Sequence, residues 1–286
     1  MDALALDLRN ICRASRTGSR QTQADRGRMF KSFARDLKGM GFKLPSAKSL
    51  KPKHVERLVE SWKGQGLSAG VIKNRMAGLR HWARAVNKTS VIHKSNDAYG
   101  IERRSASDVN KAQRLNLDKA DKLPCKRMQL AVRMSAAFGL RVQEALKFSP
   151  RLADKGDKIA LKPSWTKGGR YREIPVKTER HRALLDEVHA LVGDGSLIPP
   201  DKSYIEHRKA FEHQTLKAGM TNLHGLRHNY AQWRYRALTG ERCPKDGGKP
   251  KDTLTAAEKQ TDRDARLTIA EELGHSRIDV TKAYLG

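Results

Sequence analysis

The sequence predicts a mainly α-helical protein with two domains, the second of which also contains a small antiparallel sheet. Apolar residues recur at helical spacing along most of the 286-residue chain, which is long enough for two hydrophobic cores. This periodicity stops between about Asn87 and Gln113, where Ser, Asn, Asp and Gly accumulate, so we predict a linker there. The one convincing strand signal is a pair of short apolar runs around Gly168-Gly169.

The N-terminal part is expected to contain a polar arm, residues 1–20, and a helical domain, residues 21–100. The arm starts with an apolar stretch formed by Leu4, Leu6, Leu8 and Ile11. The first helix has an apolar face formed by Met29, Phe30, Phe33 and Leu37, and ends near Gly39 and Gly41. A second helix begins at Pro52, a residue favoured at the first helical position, and buries Val55, Leu58, Val59 and Trp62. Ser68 is the expected N-cap of a third helix, whose apolar face contains Val71, Ile72, Leu79, Trp82 and Val86.

After a linker over residues 101–115, with the charged run Glu102-Arg103-Arg104, a second domain is predicted over residues 116–286. It begins with a helical pattern formed by Leu130, Val132, Met134 and Ala137. A hairpin follows, with strands near Ile159–Leu161 and Tyr171–Val176, and Pro175 favours a sheet edge. Helical patterns resume at about Glu179 and are interrupted by an inserted loop over about 239–265, whose second half, Ala256–Ala265, is helix-like.

The charge of the chain indicates a polyanionic partner. It contains 58 lysines and arginines against 31 acidic residues, a net charge of +27, with a sequence pI of about 10.3. Basic groups that neutralise phosphates release condensed counterions, which favours binding to nucleic acid. The alternative is a solvated basic surface without a partner, and charge alone does not separate DNA from RNA or from an acidic membrane.

The cysteines predict neither a disulfide nor a metal site. Cys12, Cys125 and Cys243 are odd in number and far apart, as expected of a protein in the reducing cytoplasm. No apolar run approaches the length of a membrane span, and the N-terminus lacks the core of a signal peptide. We therefore expect a cytoplasmic protein with no cofactor, no metal and no membrane association.

The last sixty-odd residues carry groups suited to phosphodiester chemistry. His224 and Arg227 lie three residues apart, on one face of a helical turn, and His228 follows directly. His275 comes later in the sequence, and Tyr284 follows nine residues after it. Guanidinium groups grip phosphate bidentately and stay charged, a histidine can move the proton of a tyrosine, and a lysine can protonate a leaving oxygen. With such a set the reaction requires no metal.

These residues resemble the motifs of the tyrosine recombinase, or phage-type integrase, family. The Gly-Leu-Arg-x-x-Glu helix is matched by Gly139 to Glu144, and the lysine hairpin by Thr166 to Gly169. The His-x-Leu-Arg-His box is matched by His224 to His228, the Leu-Gly-His box by Leu273 to His275, and the nucleophile by Tyr284. The resemblance covers about residues 25–286. Each match is a modest signal by itself, and the argument rests on their common order in a basic chain.

The resemblance implies a fold and a mechanism. The N-terminal domain would be a SAM-like core-binding domain, and the C-terminal domain a catalytic domain of the DNA breaking-rejoining fold. Tyr284 would attack a phosphate to form a 3′-phosphotyrosine link, which conserves the bond energy for rejoining without ATP. The family assigns charge stabilisation to Arg141 and Arg227, the general acid to Lys167, proton transfer to His224 and a bond to a non-bridging oxygen to His275. Glu144 and His228 would contact these catalytic groups and orient them without reacting.

The resemblance also implies the partners. Duplex DNA with attachment sites would be bound by four protomers on two duplexes, from a protein that is monomeric when free, and accessory DNA-bending proteins would be candidate partners. The function would be integration or excision of a phage or genomic-island element, at the nucleoid of a bacterial cell. Residues expected to contact DNA are Lys73, Arg75, Arg80, Arg84, Arg170 and Arg172.

Two features depart from the family pattern. His228 and His275 are separated by 47 residues, a longer gap than the family usually has, because of the segment over about 239–265. The sequence continues for only two residues after Tyr284, whereas many recombinases have a further segment that docks into a neighbouring protomer. Two alternative functions follow: a type IB topoisomerase-like nicking-closing enzyme, and a non-catalytic DNA-binding protein derived from a recombinase.

Overall fold

The computed structural model describes residues 2–103 and 109–286 of the chain. The chain forms two compact units, which divide between residues 105 and 106. The helices of unit 1 are α1 (Ala3–Ala14), α2 (Arg20–Gly39), α3 (Pro52–Gly64) and α4 (Ala69–Ala85). Unit 2 begins with α5 (Leu117–Asp121), α6 (Lys126–Phe138), α7 (Val142–Leu146), α8 (Pro150–Ala153), β1 (Lys158–Leu161) and β2 (Arg172–Pro175). It ends with α9 (Glu179–Val192), α10 (Tyr204–Lys217), α11 (His224–Thr239), α12 (Ala256–Glu272) and α13 (Lys282–Leu285). The prediction of a mainly helical fold with a small antiparallel sheet is confirmed.

Unit 1 is a helical domain whose helix boundaries follow the sequence signals. Pro52 is the first residue of α3, and Ser68 caps α4 by accepting a hydrogen bond from the backbone N–H of Val71 at 3.4 Å. The predicted faces of α2 and α3 lie in the core, where Met29 is only partly buried. Val71, however, is 41% exposed, because the buried face of α4 instead follows Ile72, Met76, Leu79 and Ala83 at helical spacing.

The N-terminal arm predicted over residues 1–20 is mostly a helix, and that prediction is corrected. Asp2 caps α1 through a hydrogen bond from the N–H of Leu4, at 3.1 Å. Leu4 and Leu8 lie one turn apart and are buried in the core of unit 1, where α1 packs against α2. Leu6 points outward, so the alternating leucines of this segment are helical and only two of the three are buried.

The ends of the predicted linker belong to the two units. Ile92 and Ile101 are buried in the core of unit 1. On the other side, the backbone N–H of Gln113 donates to the carbonyl of Gly225 at 3.0 Å, which attaches this segment to the start of α11 in unit 2. Arg104 and the rest of residues 104–108 lie outside the described residues.

Unit 2 is built around α6 and α11, and its two strands pair antiparallel with Ile159 opposite Ile174. The hairpin turn predicted at Gly168-Gly169 lies within a connection of ten residues, 162–171, that also includes a 3₁₀ turn, Pro163–Trp165. Both glycines do adopt left-handed conformations, with φ of +80° and +66°. Trp165 is buried, so one end of this connection is anchored in the core.

The segment predicted over about 239–265 as a loop with a helix-like second half is a loop followed by a helix in the structure. Residues 240–255 form a connection with two 3₁₀ turns, Pro244–Asp246 and Lys251–Thr253, whereas residues 256–265 are the first turns of α12. Thr255 caps this helix by accepting from the N–H of Glu258 at 3.3 Å. The charged sequence of α12 conceals a buried face, because Asp262 and Arg266 pair with each other at 2.8 Å inside unit 2.

Candidate active site

The motif residues of unit 2 lie on five separate segments of the chain. His224 and Arg227 lie on the first turn of α11, Arg141 is the residue before α7, and His275 follows α12. Tyr284 lies on α13, the last short helix. Lys167 lies on the long connection between β1 and β2.

Glu144 is the centre of a buried cluster of arginines. Its side chain is fully buried and accepts hydrogen bonds from Arg172 Nη1 and Nη2, at 3.0 and 2.6 Å, and from Arg141 Nη1 at 2.8 Å. It also accepts from the backbone N–H of Arg141 at 2.7 Å, and Arg227 Nη1 lies 4.0 Å from its Oε2. Burial acts to raise the pKa of Glu144, but the charge and hydrogen bonds of Arg172, then of Arg141, outweigh it and hold the pKa below its usual value. The carboxylate therefore stays ionised and fixes the orientation of Arg141.

Arg227 is held by backbone carbonyls. Its side chain is 1% exposed, with Nη1 donating to Gly139 O at 2.6 Å and Nη2 donating to Leu273 O. Its Nε–H has no hydrogen-bond partner among the described residues. Burial, followed by the charge of Arg141, lowers the pKa of Arg227 to about 10, so the group is still charged at neutral pH. The positive charge of Arg227 is therefore fixed in position by two of its five N–H groups.

Gly139 allows this arrangement because of its backbone. It ends α6 in the left-handed region, at φ +60°, and its carbonyl anchors Arg227. A Cβ atom at this position would lie 2.5 Å from Cδ1 of Tyr230 on α11. The glycine of the Gly-Leu-Arg motif is thus required both for its φ and for the close packing of α6 on α11.

Tyr284 lies within a cluster of three histidines. It is 4% exposed, and its hydroxyl lies 3.3 Å from Nε2 of His275. The centroid of its ring is 4.5 Å from that of His228, 5.7 Å from His275 and 6.1 Å from His224. The hydrogen bond reaches His275, to which the sequence had assigned a contact with phosphate, and not His224.

The surroundings of the three histidines lower their pKa values and keep the rings neutral. Burial, with the charges of Arg227 and Arg141 next, lowers the pKa of His275 to about 4 and also lowers the pKa of His224. Burial and the neighbouring His224 lower the pKa of His228 to about 4, and its Nδ1 has no partner among the described residues. At neutral pH all three rings are therefore able to accept a hydrogen bond from a phenol.

Lys167 and Arg170 lie on the exposed part of the β1–β2 connection. Lys167 makes no hydrogen bond or ion pair with another described residue, so it is not brought into contact with the rest of the site. Arg170 lines a groove of about 540 Å³ together with Tyr171, Arg172, Glu173, Glu271, Gly274 and His275. The connection therefore borders His275, and Arg170 is positioned for a ligand in the groove.

Arg172 does not fit the prediction of a DNA contact, which is corrected. Its side chain is 3% exposed, and both of its Nη atoms are bonded to Glu144. Strand geometry gives the reason: Arg172 and Ile174 alternate with exposed Glu173, so both side chains point into unit 2. The alternation of Arg172 with Ile174 in the sequence was the available signal that this arginine is buried beside an acidic partner.

The predicted DNA contacts of unit 1 have different surroundings. Arg84 is exposed and Lys73 partly exposed, whereas Arg80 donates to the carbonyls of His93 and Lys94 and to Asn96. The guanidinium of Arg75 stacks on the ring of Trp62, 5.1 Å from its centroid. Arg80 and Arg75 are thus engaged in packing, and Lys73 and Arg84 remain the accessible candidates.

Sequence reasoning missed the residues that bond to the backbone around Tyr284. Gln232, on α11, donates to the carbonyl of Tyr284 at 3.0 Å and is 6% exposed. A glutamine on an apolar face of a helix was the available signal. Over the described ranges, no group of three or more His, Cys, Asp or Glu residues is placed to hold a metal ion. No helix among those residues is long and apolar enough to cross a membrane.

Comparisons with known proteins agree with this site. A family model described as the N-terminal domain of phage integrases matches residues 1–92, and an integrase model matches residues 100–233. No curated protein sequence matches the chain. Among solved structures, the chain is similar to a lambda integrase dimer bound to a core site, with a TM-score of 0.66 and 16% identity over 99% of this chain and 76% of the other. It is also similar to the XerH recombinase in a post-cleavage complex, with a TM-score of 0.62 and 19% identity over 99% of this chain and 81% of the other. A third similar structure is the Tn1549 transposon integrase, with a TM-score of 0.60 and 15% identity over 100% of this chain and 96% of the other.

The SAM-like N-terminal domain and the catalytic domain expected from the sequence are confirmed by these matches. The chain therefore belongs to the tyrosine recombinase, or phage-type integrase, family, whose members are site-specific DNA recombinases.

Proposed function

We propose that this recombinase cleaves and rejoins duplex DNA through a 3′-phosphotyrosine intermediate, to integrate or excise a phage or genomic-island element. The observation that carries the proposal is the hydroxyl of Tyr284 within hydrogen-bond distance of a neutral histidine, His275, close to two fixed arginines. The integrase models favour it over the topoisomerase-like and non-catalytic alternatives.

The nucleophilic step would form one bond and break one bond at phosphorus. The phenolic oxygen of Tyr284 attacks the scissile phosphate, and the bond from phosphorus to the 5′-oxygen breaks. The phenolic proton passes to His275, whose Nε2 is the nearest acceptor, or to His224. A proton from Lys167 reaches the departing 5′-oxygen, which requires the β1–β2 connection to bring this exposed lysine to the DNA.

The two arginines would stabilise the transition state differently. The side chain of Arg141 is 21% exposed and only one of its nitrogens is bonded to Glu144, so its other N–H groups are available to the phosphate. Arg227 is 1% exposed and each of its Nη atoms donates one N–H to a backbone carbonyl, so its positive charge is held in a fixed position. Preorganised charges of this kind act strongly in a site without water.

The partners of the chain are part of the proposal. A structure of the similar lambda integrase is a tetramer bound to a Holliday junction, which supports four protomers on two duplexes for this chain. The net charge of +27 supports binding to DNA backbone. We place the reaction at the nucleoid, in the bacterial cytoplasm.

The test is covalent capture on DNA that the protein itself selects. Duplexes are first recovered from a random-sequence pool by binding to the purified full chain, and the enriched sequence is called the selected duplex. The selected duplex is then prepared with nicks at successive positions, so that a cut end can diffuse away and leave the protein trapped. Adducts are read on a denaturing gel, with chelator present.

The expected result is an adduct that Tyr284→Phe abolishes without loss of binding. Strand exchange between two copies of the selected duplex then separates a recombinase from a nicking-closing enzyme. Absence of an adduct on every nicked form of a tightly bound duplex would favour the non-catalytic binder and refute the proposal.

A further inference from the structure

The backbone of the segment that bears Tyr284 needs partners from outside its own helix. α13 has only four residues, Lys282–Leu285. The last four carbonyls of any helix have no N–H donor within that helix. Such carbonyls, when buried, must be satisfied by other groups. Two of them, at residues 283 and 284, accept hydrogen bonds from side chains, and so does the carbonyl of Gly286, the residue after the helix.

Three different parts of unit 2 supply these donors. Gln232 Nε2, from α11, donates to the carbonyl of Tyr284 at 3.0 Å. Lys245 Nζ, from the 240–255 connection, donates to the carbonyl of Ala283 at 3.0 Å. Arg266 Nη1, from α12, donates to the carbonyl of Gly286 at 2.8 Å. The segment is therefore held on three sides, directly beside the reactive ring.

The donors are themselves fixed. Gln232 is 6% exposed, and its amide exchanges hydrogen bonds with that of Asn110, at 2.9 and 3.4 Å. Asn110 also donates to the carbonyl of Lys245 at 2.8 Å, which ties the 240–255 connection to α11. Arg266 is 4% exposed and its Nε lies 2.8 Å from both carboxylate oxygens of Asp262. The side chains of Gln232 and Arg266 are thus each oriented by a second partner, and the backbone at Lys245 is held by Asn110.

At the reactive end, by contrast, the phenol of Tyr284 has one hydrogen bond within the described part of the chain, of 3.3 Å, to His275. We propose that Gln232, Lys245 and Arg266 form a backbone clamp that positions Tyr284 for attack, with Asn110 connecting the first two and Asp262 fixing the third. This inference rests on the proposed function and adds positioning residues to it. Because a displacement of about 1 Å at a reacting atom can cost roughly a hundredfold in rate, a backbone clamp is sufficient to control the chemical step.

The test compares Gln232→Met with a matched control, Gln129→Met. Both substitutions keep the length of the side chain and remove an amide that donates to backbone carbonyls of unit 2, but Gln129 bonds to Asp121 and Leu123. Cleavage is measured in a single turnover on the nicked selected duplex at saturating protein, and the dissociation constant is measured separately. We expect Gln232→Met to cleave roughly ten- to hundredfold more slowly with unchanged binding, and Gln129→Met to cleave like the parent chain.

Two further readouts separate positioning from proton transfer and from misfolding. A 5′-bridging phosphorothiolate, whose sulfur leaves without a proton, should restore cleavage by Lys167→Ala and leave Gln232→Met slow. Asn110 is exposed, and Asn110→Ala removes its hydrogen bonds to Gln232 and to the carbonyl of Lys245. The cleavage rate should fall by a smaller factor, roughly threefold to tenfold, with an unchanged melting temperature.

Cleavage by Gln232→Met and Asn110→Ala within twofold of the parent would overturn the clamp, as would equal losses in Gln232→Met and Gln129→Met. In either case an adduct formed by the parent chain would leave the proposed function intact. If the parent forms no adduct, the proposed function fails first, so the two failures are distinguishable.

Discussion

Removal of the carboxylate of Glu144 should destabilise unit 2 more than the loss of any exposed ion pair. Glu144 is fully buried, and the Arg172 side chain bonded to it is 3% exposed, so Glu144→Ala leaves buried positive charge without a partner. Breaking a buried pair in this way costs about 3–5 kcal/mol. For a unit of this size each kcal/mol lowers the melting temperature by about 2–4 °C, so we expect a decrease of roughly 6–20 °C.

The assay is the calorimetric melting temperature of the full chain. Glu212→Ala serves as the matched control, since Glu212 pairs with Arg208 at 2.8 Å on an exposed helix face of the same unit and should contribute less than about 1 kcal/mol. The double substitution Glu144→Leu/Arg172→Leu should be much less destabilised than the sum of its single variants, because the charge is removed together with its partner. A decrease for Glu144→Ala no larger than for Glu212→Ala would refute the reasoning.

Three further predictions concern backbone strain, acid sensitivity and DNA binding. Gly139→Ala and Gly168→Ala both place a side chain at positive φ, but only the first meets a neighbour within 4 Å, so by chemical denaturation Gly139→Ala should cost about 1–3 kcal/mol more than Gly168→Ala. The pKa of His228 is lowered to about 4 in the folded chain, so the folded state binds this proton less readily than the unfolded state does. The stability that the neutral ring contributes is therefore complete above pH 6.5 and is lost as the pH falls towards 4. Unfolding curves should show that His228→Gln loses less free energy of unfolding than the parent over this window, by up to about 3 kcal/mol. Lys73→Glu combined with Arg84→Glu should weaken binding to the selected duplex and reduce the slope of log K against log salt by about 1 for each phosphate that is no longer neutralised, and an unchanged slope would contradict a role for this helix face.

Much of the fold could be predicted because its helices carry local signals. Pro52 and Ser68 mark helix starts through chemistry that acts within one turn, and the structure begins α3 and α4 there. The order of the motifs likewise predicts that Arg141, Arg227 and Tyr284 meet, and they do lie in one unit. What failed was the arm over residues 1–20, since the burial of its leucines depends on which distant surface a short segment packs against.

Buried charge is the part of the site that the sequence conceals. Arg172 resembles an exposed basic residue on a basic chain, and only its pairing with Glu144, 28 positions earlier, makes burial possible. The same applies to α12, where Asp262 and Arg266 look like solvated charges and are 2% and 4% exposed. A charged residue on the inner face of an element is compatible with a core when an opposite charge reaches it, and a one-dimensional pattern does not contain that information.

The segment that lengthens the gap between His228 and His275 is more than a surface addition to unit 2. Its loop supplies Lys245 and its helix leads to Arg266, and these two side chains bond to carbonyls on either side of Tyr284. A loop that only decorated the surface would have its polar groups facing solvent, away from the tyrosine-bearing segment. The departure from the family pattern and the position of the nucleophile are therefore physically connected, and shortening this segment should impair cleavage before it impairs DNA binding.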